Sequence, residues 1–410
     1  NSPDRDRVKE FLLKDNMGMS NLQSSEIITF NTIALKGAIR DICRAFSVDL
    51  ETVGKICEKC EDENELVRLR KKYSEIFEYV DIVNGTIVSI GSHPSGVLVT
   101  DRDIAENVGY CSLSASKYPV SMLDMKELDA QNFVKLDLLG LDNIGLINET
   151  CKLVGIDRLT PDNTPLDDQA VWDDIKNDTT MIFQWESNSA QAYLRQFMSE
   201  STIETVKTRI PNFSMIKWLS FGNGLIRPAC ASFRKDVAEG KFYDNGLEEI
   251  NEFLAPEAGH VAMQESIMQF LVKFCGYSNA ESDIVRRGIA KKKGTEKLIP
   301  EIEKRFIEYT SKNYNISKEK CAEVIKPFIQ VILDASAYAF SWNHSDSYSC
   351  LGYICGYLRH YYPEEFIVCA LNIFSGNEDK TASITEFAAK RKIKINNIKF
   401  RYSKDKYFLD

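Results

Sequence analysis

Asp137 lies inside the run FVKLDLLGL, Phe133 to Leu141, and five cations lie inside VRRGIAKKK, Val285 to Lys293. A carboxylate in an otherwise apolar, alternating segment is costly unless it is paired, metal-bound or at an open edge. Alternation places Val134, Leu136 and Leu138 on one side and Phe133, Lys135, Asp137 and Leu139 on the other. Lys135 and Asp137 therefore share a face. They read either as an exposed ion pair or as a carboxylate aimed into a cleft that holds a divalent cation. In the second run, Arg286, Arg287, Lys291, Lys292 and Lys293 repel one another unless something anionic sits against them. At about 100° per residue, Arg286, Arg287, Lys291 and Lys293 fall on one arc. Ile284, Val285, Gly288 and Ile289 cover the other arc, with Lys292 on that apolar side. Such a face suits an anionic partner, and it equally suits plain solvation.

The elements that must position these groups follow from periodicity and capping. Met263 to Phe274 predicts a helix, closed by Cys275-Gly276 with glycine for the left-handed cap. Ser278 and Glu281 are spaced as a capping box for the basic helix, which is expected to fray just before Gly294. Ser25 to Phe46 shows apolar residues at helical spacing, and residues from about 31 to 80 read as all-helical. Lys36, Arg40 and Arg44 recur every four residues there, suiting either a phosphate-backbone track or a solvated face. Asn84-Gly85 signals a turn into TIVSIG, and VLVT forms a second strand-like segment behind a small-residue turn holding His93. His93 reads as a turn-fixing histidine, with catalysis as the alternative. Beyond Gly140 the chain to about Gly376 reads as helical, with turns at Gly222 to Gly224, Pro228, Gly276 and Pro363. Lys390 to Asp410 is basic and partly alternating.

With 410 residues, 44% hydrophobic and 27% charged, the chain allows two to three domains of ordinary globular type. No run approaches the roughly 20 apolar residues of a membrane span. The eleven cysteines are scattered, as buried thiols of a reducing compartment are. Cys57-x-x-Cys60 lacks the second pair and the nearby histidine that a zinc site needs. A net charge of -9 argues against non-specific coating of nucleic acid but leaves room for a focused basic groove.

Taken in order, several segments resemble the alpha subunit of bacterial DNA polymerase III, the C family of DNA polymerases. IITFNTIALKGAIRD resembles the family's passage from palm to thumb, GSHPSGVLVT its H-A-x-G-V-V segment and VKLDLLGL its V-K-F-D-F-L-G-L. IFQWES resembles F-Q-x-E-S, IRP the R-P-G-P turn, MQESIM Y-Q-E-Q-V-M, VRRGIAKKK L-R-R-A-M-G-K-K-K and YLRHYYPEEF L-K-A-H-Y-P-A-E-F. The resemblance implies an α+β fold with three parts. These are a small mixed palm of nucleotidyltransferase type at 1–30 and 84–142, an inserted helical thumb at 31–83 and large, mainly helical fingers at 143–410.

It also implies DNA-directed DNA polymerisation by two divalent ions, Mg²⁺ in the complete site, with transfer of a nucleotide from a dNTP to a primer 3′-hydroxyl. Asp137 matches the third catalytic, metal-binding aspartate. Lys135, Gln264, Arg286, Arg287, Lys291, Lys292 and Lys293 match the surroundings of the triphosphate. Lys36, Arg40, Arg44 and Arg227 would meet primer-template DNA. His93, Glu265 and His344 have open roles. Ala229-Cys230 replaces the usual Gly-Pro after Arg227, and Ser341-Trp342-Asn343 replaces the middle of F-N-K-S-H ahead of His344. The family's Asp-x-Asp pair is expected just ahead of Asn1, with Asp4-x-Asp6 a superficial imitation on the following helix. A fragment without that pair is expected to be inactive alone. Sliding-clamp and other replisome partners would use other regions, and the setting is the cytoplasm of a bacterial or phage-infected cell. Two other classes stay open: an inactive polymerase-derived DNA- or nucleotide-binding module, and a helical scaffold for an acidic protein partner.

Overall fold

The computed structural model describes the backbone of every residue except 1, 15, 20, 61, 228, 229, 292, 293, 337, 338, 400 and 410. The side chains at 2–4, 17, 63, 64 and 336 also lie outside the description. The chain divides into two compact units, residues 1–141 and 142–410.

The first unit opens with helix α1 (Ser2–Leu13) and strand β1 (Ser24–Thr32). The helical spacing expected from Ser25 is overturned here, because Ser24–Thr32 is the middle strand of the sheet. Ile27, Ile28, Thr29 and Thr32 are β-branched, and partners on both sides reward an extended chain more than local periodicity rewards a helix. Helices α2 (Leu35–Ala45), α3 (Leu50–Lys59), α4 (Glu63–Lys72) and α5 (Ser74–Val83) follow. Asp49 and Asp62 cap α3 and α4 by accepting from Thr52 N and Glu65 N. These four helices close over their own core, including Ile39, Phe77, Val80 and the thiols Cys43, Cys57 and Cys60.

Strand β2 (Ile87–Val99) is continuous through GSHPSG, where a turn between two strands was expected. The small residues form a bulge instead: Glu26 pairs with Val97, and two residues on Ile28 pairs with Ser92. Helix α6 (Ile104–Asn107), strands β3 (Tyr110–Cys111) and β4 (Val120–Asp124), helix α7 (Met125–Ala130) and strand β5 (Val134–Asp137) complete the unit. The sheet order is β3-β4-β1-β2-β5, with β1 and β4 parallel and the other pairs antiparallel. One face buries Ile27, Leu98 and Leu128; the other holds Leu12, Leu13 and Val97.

The second unit is helical apart from an isolated bridge between Met263 and Phe340 among the described residues. Helices α8 (Asp142–Val154), α9 (Gln169–Asn177), α10 (Asn188–Phe197), α11 (Glu200–Arg209), α12 (Met215–Leu225) and α13 (Arg234–Ala238) come first. Gly222 and Gly224, expected in a turn, lie inside α12. A Cβ at Gly222 would meet Phe197 at 2.8 Å and Trp185 at 3.0 Å, so the glycine serves close packing. Next come α14 (Glu248–Phe253), α15 (Gln264–Cys275), α16 (Asn279–Ala290), α17 (Thr295–Tyr314) and α18 (Lys318–Ser336). The unit ends with α19 (Trp342–Tyr361), α20 (Pro363–Ile373) and α21 (Glu378–Lys390).

Helix α19 runs between two cores, giving Tyr353 to the one around Trp172, Trp185 and Trp218, and Ile354 and Leu358 to the other. At its end the Arg359 guanidinium is fully buried against Asp174 Oδ2 at 3.1 Å and the carbonyls of Thr180 and Asp178 at 2.6 and 2.7 Å. Burial lowers its pKa to about 10.

Candidate functional site

Asp137 ends β5, the edge strand of the sheet, and its carboxylate is exposed. Lys135 does not pair with it. That ammonium turns under the sheet to Asp129 of α7 and donates to Met125 O at 3.1 Å, with its side chain 14% exposed. Asp137 is left with no polar partner among the described residues. The open edge answers how such a strand tolerates a carboxylate: water reaches it.

His93 lies in the β2 bulge, three residues before Gly96. Its Nδ1 accepts from Gly96 N at 2.7 Å and Ser95 N at 3.3 Å, the fixing role expected of this histidine. Gly96 is the cross-strand partner of Asp137, and a Cβ on Gly96 would lie 2.9 Å from His93 Nδ1. On α2, Lys36 is half-buried while Arg40 and Arg44 are exposed, and Arg44 stands 3.6 Å from Asp41.

As a donor for a hard divalent ion, Asp137 fits by chemistry, being an accessible and unclaimed oxygen ligand. It does not make a site alone. No group of three or more His, Cys, Asp and Glu among the described residues is placed to hold a metal.

In the second unit, α15 closes on Gly276 in the left-handed conformation, and the Ser278–Glu281 capping box starts α16 as expected. The three-residue connection Gly276 to Ser278 joins α15 to α16, and the two helices share one core that includes Ile267, Phe270, Val285 and Ile289. The basic helix is shorter than its periodicity suggests. It stops at Ala290, and Lys291 is its exposed C-cap. Its buried side is Ser282, Val285 and Ile289, whereas Ile284, expected on that side, is 70% exposed. Packing chose the 282-285-289 stripe, one residue round from the stripe that hydrophobicity favours. Lys292 and Lys293 lie outside the described residues. Arg286 and Arg287 both meet Asp283, at 2.8 and 2.5 Å, so part of the expected anion is built into the helix itself. Asp283 could have been found from its i−3 and i−4 spacing.

Other residues singled out in this unit meet around the start of α19. Gln264 N donates to Phe340 O at 2.8 Å. Glu265 accepts from Ser341 Oγ at 2.6 Å and from Trp342 N at 2.9 Å, capping α19 from outside. The Arg227 guanidinium lies over the Phe340 ring at 4.5 Å, and its Nε is buried with no hydrogen-bond partner among the described residues. Phe340 is edge-on to exposed His344, which is edge-on to Tyr348 at 4.0 Å. Pairwise motif reading missed the buried Glu257 beneath them. It accepts from Ala262 N at 2.7 Å and Met263 N at 3.2 Å and binds Ser266. Burial lifts its carboxyl to about 7. Glu265, Trp342, Trp218 and Lys217 also line a cavity of ≈ 450 Å³.

Both units match models of one family. Residues 4–140 match the bacterial DNA polymerase III alpha NTPase domain, and residues 143–314 match the bacterial DNA polymerase III alpha subunit finger domain. The chain belongs to the bacterial DNA polymerase III alpha family. Among curated relatives, DNA polymerase III subunit alpha of Ureaplasma parvum serovar 3 is 27% identical over 426 residues, covering 99% of this chain and 41% of that protein. The subunit of Pseudomonas fluorescens is 25% identical over 420 residues, 96% of this chain and 34% of its own length. That of Halalkalibacterium halodurans is 25% identical over 398 residues, 90% and 33% respectively. The chain thus spans well under half the length of the polymerase III alpha subunits it matches. No helix among the described residues is long and apolar enough to cross a membrane.

Proposed function

We propose that this chain carries nucleotide-transfer and DNA-holding parts of a DNA-directed DNA polymerase. The observation that carries the reading is that Asp137, the residue matching a family metal-binding aspartate, is an exposed and unclaimed carboxylate on a sheet edge. The in-order match of both units to one polymerase subunit supports it.

In this reading residues 1–30 and 84–142 act as palm, 31–83 as thumb and 143–410 as fingers. Asp137 would be one ligand of two divalent ions, Mg²⁺ in the cell. When bound, these ions lower the pKa of the primer 3′-hydroxyl and neutralise charge on the triphosphate. The chain's own residues bind and orient. Arg286, Arg287 and Lys291, joined by Lys292 and Lys293, supply cations for the triphosphate, whose charge must be offset as pyrophosphate leaves. Arg40 and Arg44 suit phosphates of primer-template DNA from an exposed helix face. Lys135, tied to Asp129, would fix the α7–β5 junction, and a phosphate contact would require it to leave that pair. Clamp and replisome contacts, and a cytoplasmic setting, follow from the same reading.

The test is primer extension by the native-length protein carrying this chain, with Asp137→Ala as the variant. Loss of extension with an unchanged melting temperature supports the reading, and extension at the parental rate rejects it. Since Asp137 supplies a single metal ligand, the 410-residue chain alone is expected to bind nucleotide without extending a primer.

A further inference from the structure

We propose that His93 is a positioning residue for Asp137, presenting a fixed Nε2–H donor beside that carboxylate. The inference rests on the reading of Asp137 as a metal ligand, and three observations on the first unit carry it.

The first is the tautomer. His93 Nδ1 accepts two backbone N–H groups, from Gly96 at 2.7 Å and Ser95 at 3.3 Å. A ring nitrogen that accepts holds no proton, so the neutral imidazole carries its hydrogen on Nε2. The half-buried side chain has no other polar partner among the described residues, which leaves Nε2–H available.

The second is register. Gly96 and Asp137 are directly opposite in the antiparallel β2–β5 pair, so side chains at the two positions share a face. Leu138 N donates to Ser95 O at 2.9 Å, which makes 95 and 138 a hydrogen-bonded pair and 96 and 137 the closer, non-hydrogen-bonded pair. Cβ positions in such a pair lie about 4.5–5.5 Å apart.

The third is the missing side chain. A Cβ at Gly96 would fall 2.9 Å from His93 Nδ1 and 3.1 Å from Cγ, so the imidazole occupies the space of a residue-96 side chain. Glycine there removes what would otherwise separate ring and carboxylate. The bulge, with its five-residue advance on β2 against two on β1, folds His93 back over its own strand to reach that space.

An aspartate at the exposed end of an edge strand is free to turn about χ1. A donor at fixed position selects one orientation and leaves the other carboxylate oxygen for a ligand, as outer partners of metal-binding carboxylates do.

Two variants separate this role from the structural one. In His93→Asn, Oδ1 takes the place of Nδ1 and keeps the bulge pinned, but the distal donor is gone. In His93→Gln the distal N–H is kept and the proximal acceptor is lost. In the native-length protein, His93→Asn is expected to lower kcat for primer extension about 10- to 100-fold, with an unchanged melting temperature and nearly unchanged KM for dNTP. His93→Gln is expected to recover most of that loss. Independently of activity, long-range ¹H–¹⁵N spectra of the metal-free protein should show His93 as the Nε2–H tautomer. A parental rate for His93→Asn, or an Nδ1–H tautomer, overturns the proposal. Asp137→Ala run alongside tells the two readings apart. If it extends primers, the metal-ligand reading falls; if it is silent while His93→Asn is normal, only the role of His93 falls.

Discussion

Arg287 meets Asp283 Oδ2 at 2.5 Å, one turn back along the same helix. The same carboxylate takes Arg286 on its other oxygen at 2.8 Å. The two guanidiniums, Arg287 foremost, hold the Asp283 carboxyl below its usual range. The basic stretch is therefore partly neutralised before any ligand arrives, and a triphosphate must compete with Asp283 for Arg287.

Removing the competitor should favour the ligand. Asp283→Ala is expected to tighten triphosphate binding several-fold at low salt and to cost about 1 kcal/mol of stability, because Arg287 is 65% exposed while Asp283 and Arg286 are only 26% and 18% exposed. Arg287→Ala is expected to weaken triphosphate binding about tenfold while leaving neutral nucleoside unchanged. Titration of both ligands against each variant checks this, and equal losses for nucleoside and triphosphate would count against a phosphate role.

DNA affinity should fall steeply with salt, because phosphate contacts release counterions. Each of Arg40→Ala and Arg44→Ala is expected to lower the slope of log affinity against log salt by about 1. Arg44 has the smaller effect if its Asp41 partner already holds it. A flat response in the parent protein would point to a protein partner instead.

The buried ion network is a stability element. Arg359→Ala leaves Asp174 and Asp178 without their main cation in a dry site, and should cost about 3–5 kcal/mol. Arg391, which also reaches Asp174, limits the loss. Adding Asp174→Asn to Arg359→Met should recover part of it, since the buried Asp174 charge is then removed and Asp178 keeps Lys390 at 3.9 Å. Denaturant midpoints of the single and double variants measure the coupling.

Buried Glu257 and half-buried His260 give opposite pH dependence. Burial raises Glu257 from 4.5 to about 7, so the folded state holds this proton more tightly than the unfolded chain does. Its contribution is fully present below about pH 4.5 and is lost as pH rises through about 7. Burial lowers His260, stacked on Phe233, from 6.5 to about 4, so between those values the unfolded chain binds the extra proton. Its contribution is lost as pH falls from 6.5 to about 4. The two partly cancel in the parent protein. Glu257→Gln should gain on the parent as pH rises from 4.5 to 7, and His260→Gln should gain as pH falls from 6.5 to 4. Melting temperatures across that range decide it.

Local chemistry was legible in the sequence wherever a feature depends on neighbours along the chain. The Ser278–Glu281 capping box, the left-handed Gly276 and the alternation that put Lys135 and Asp137 on one face are all short-range consequences of residue type. Ordered motifs were legible too, and they led to the family. Tertiary structure decided what depends on partners far along the chain. It made Ser24–Thr32 the middle strand, because pairing on two sides outweighs helical spacing. It turned GSHPSG into a bulge, since the register of β1 against β2 fixes how many residues must be absorbed there. It sent Lys135 to Asp129 rather than Asp137, because α7 packs under that strand end. It also left Ile284 in water while Val285 and Ile289 took the core. Asp137 itself was readable as a residue needing an explanation; only the sheet order, with β5 at the edge, showed that the carboxylate is free and that it faces Gly96, the glycine against which His93 packs.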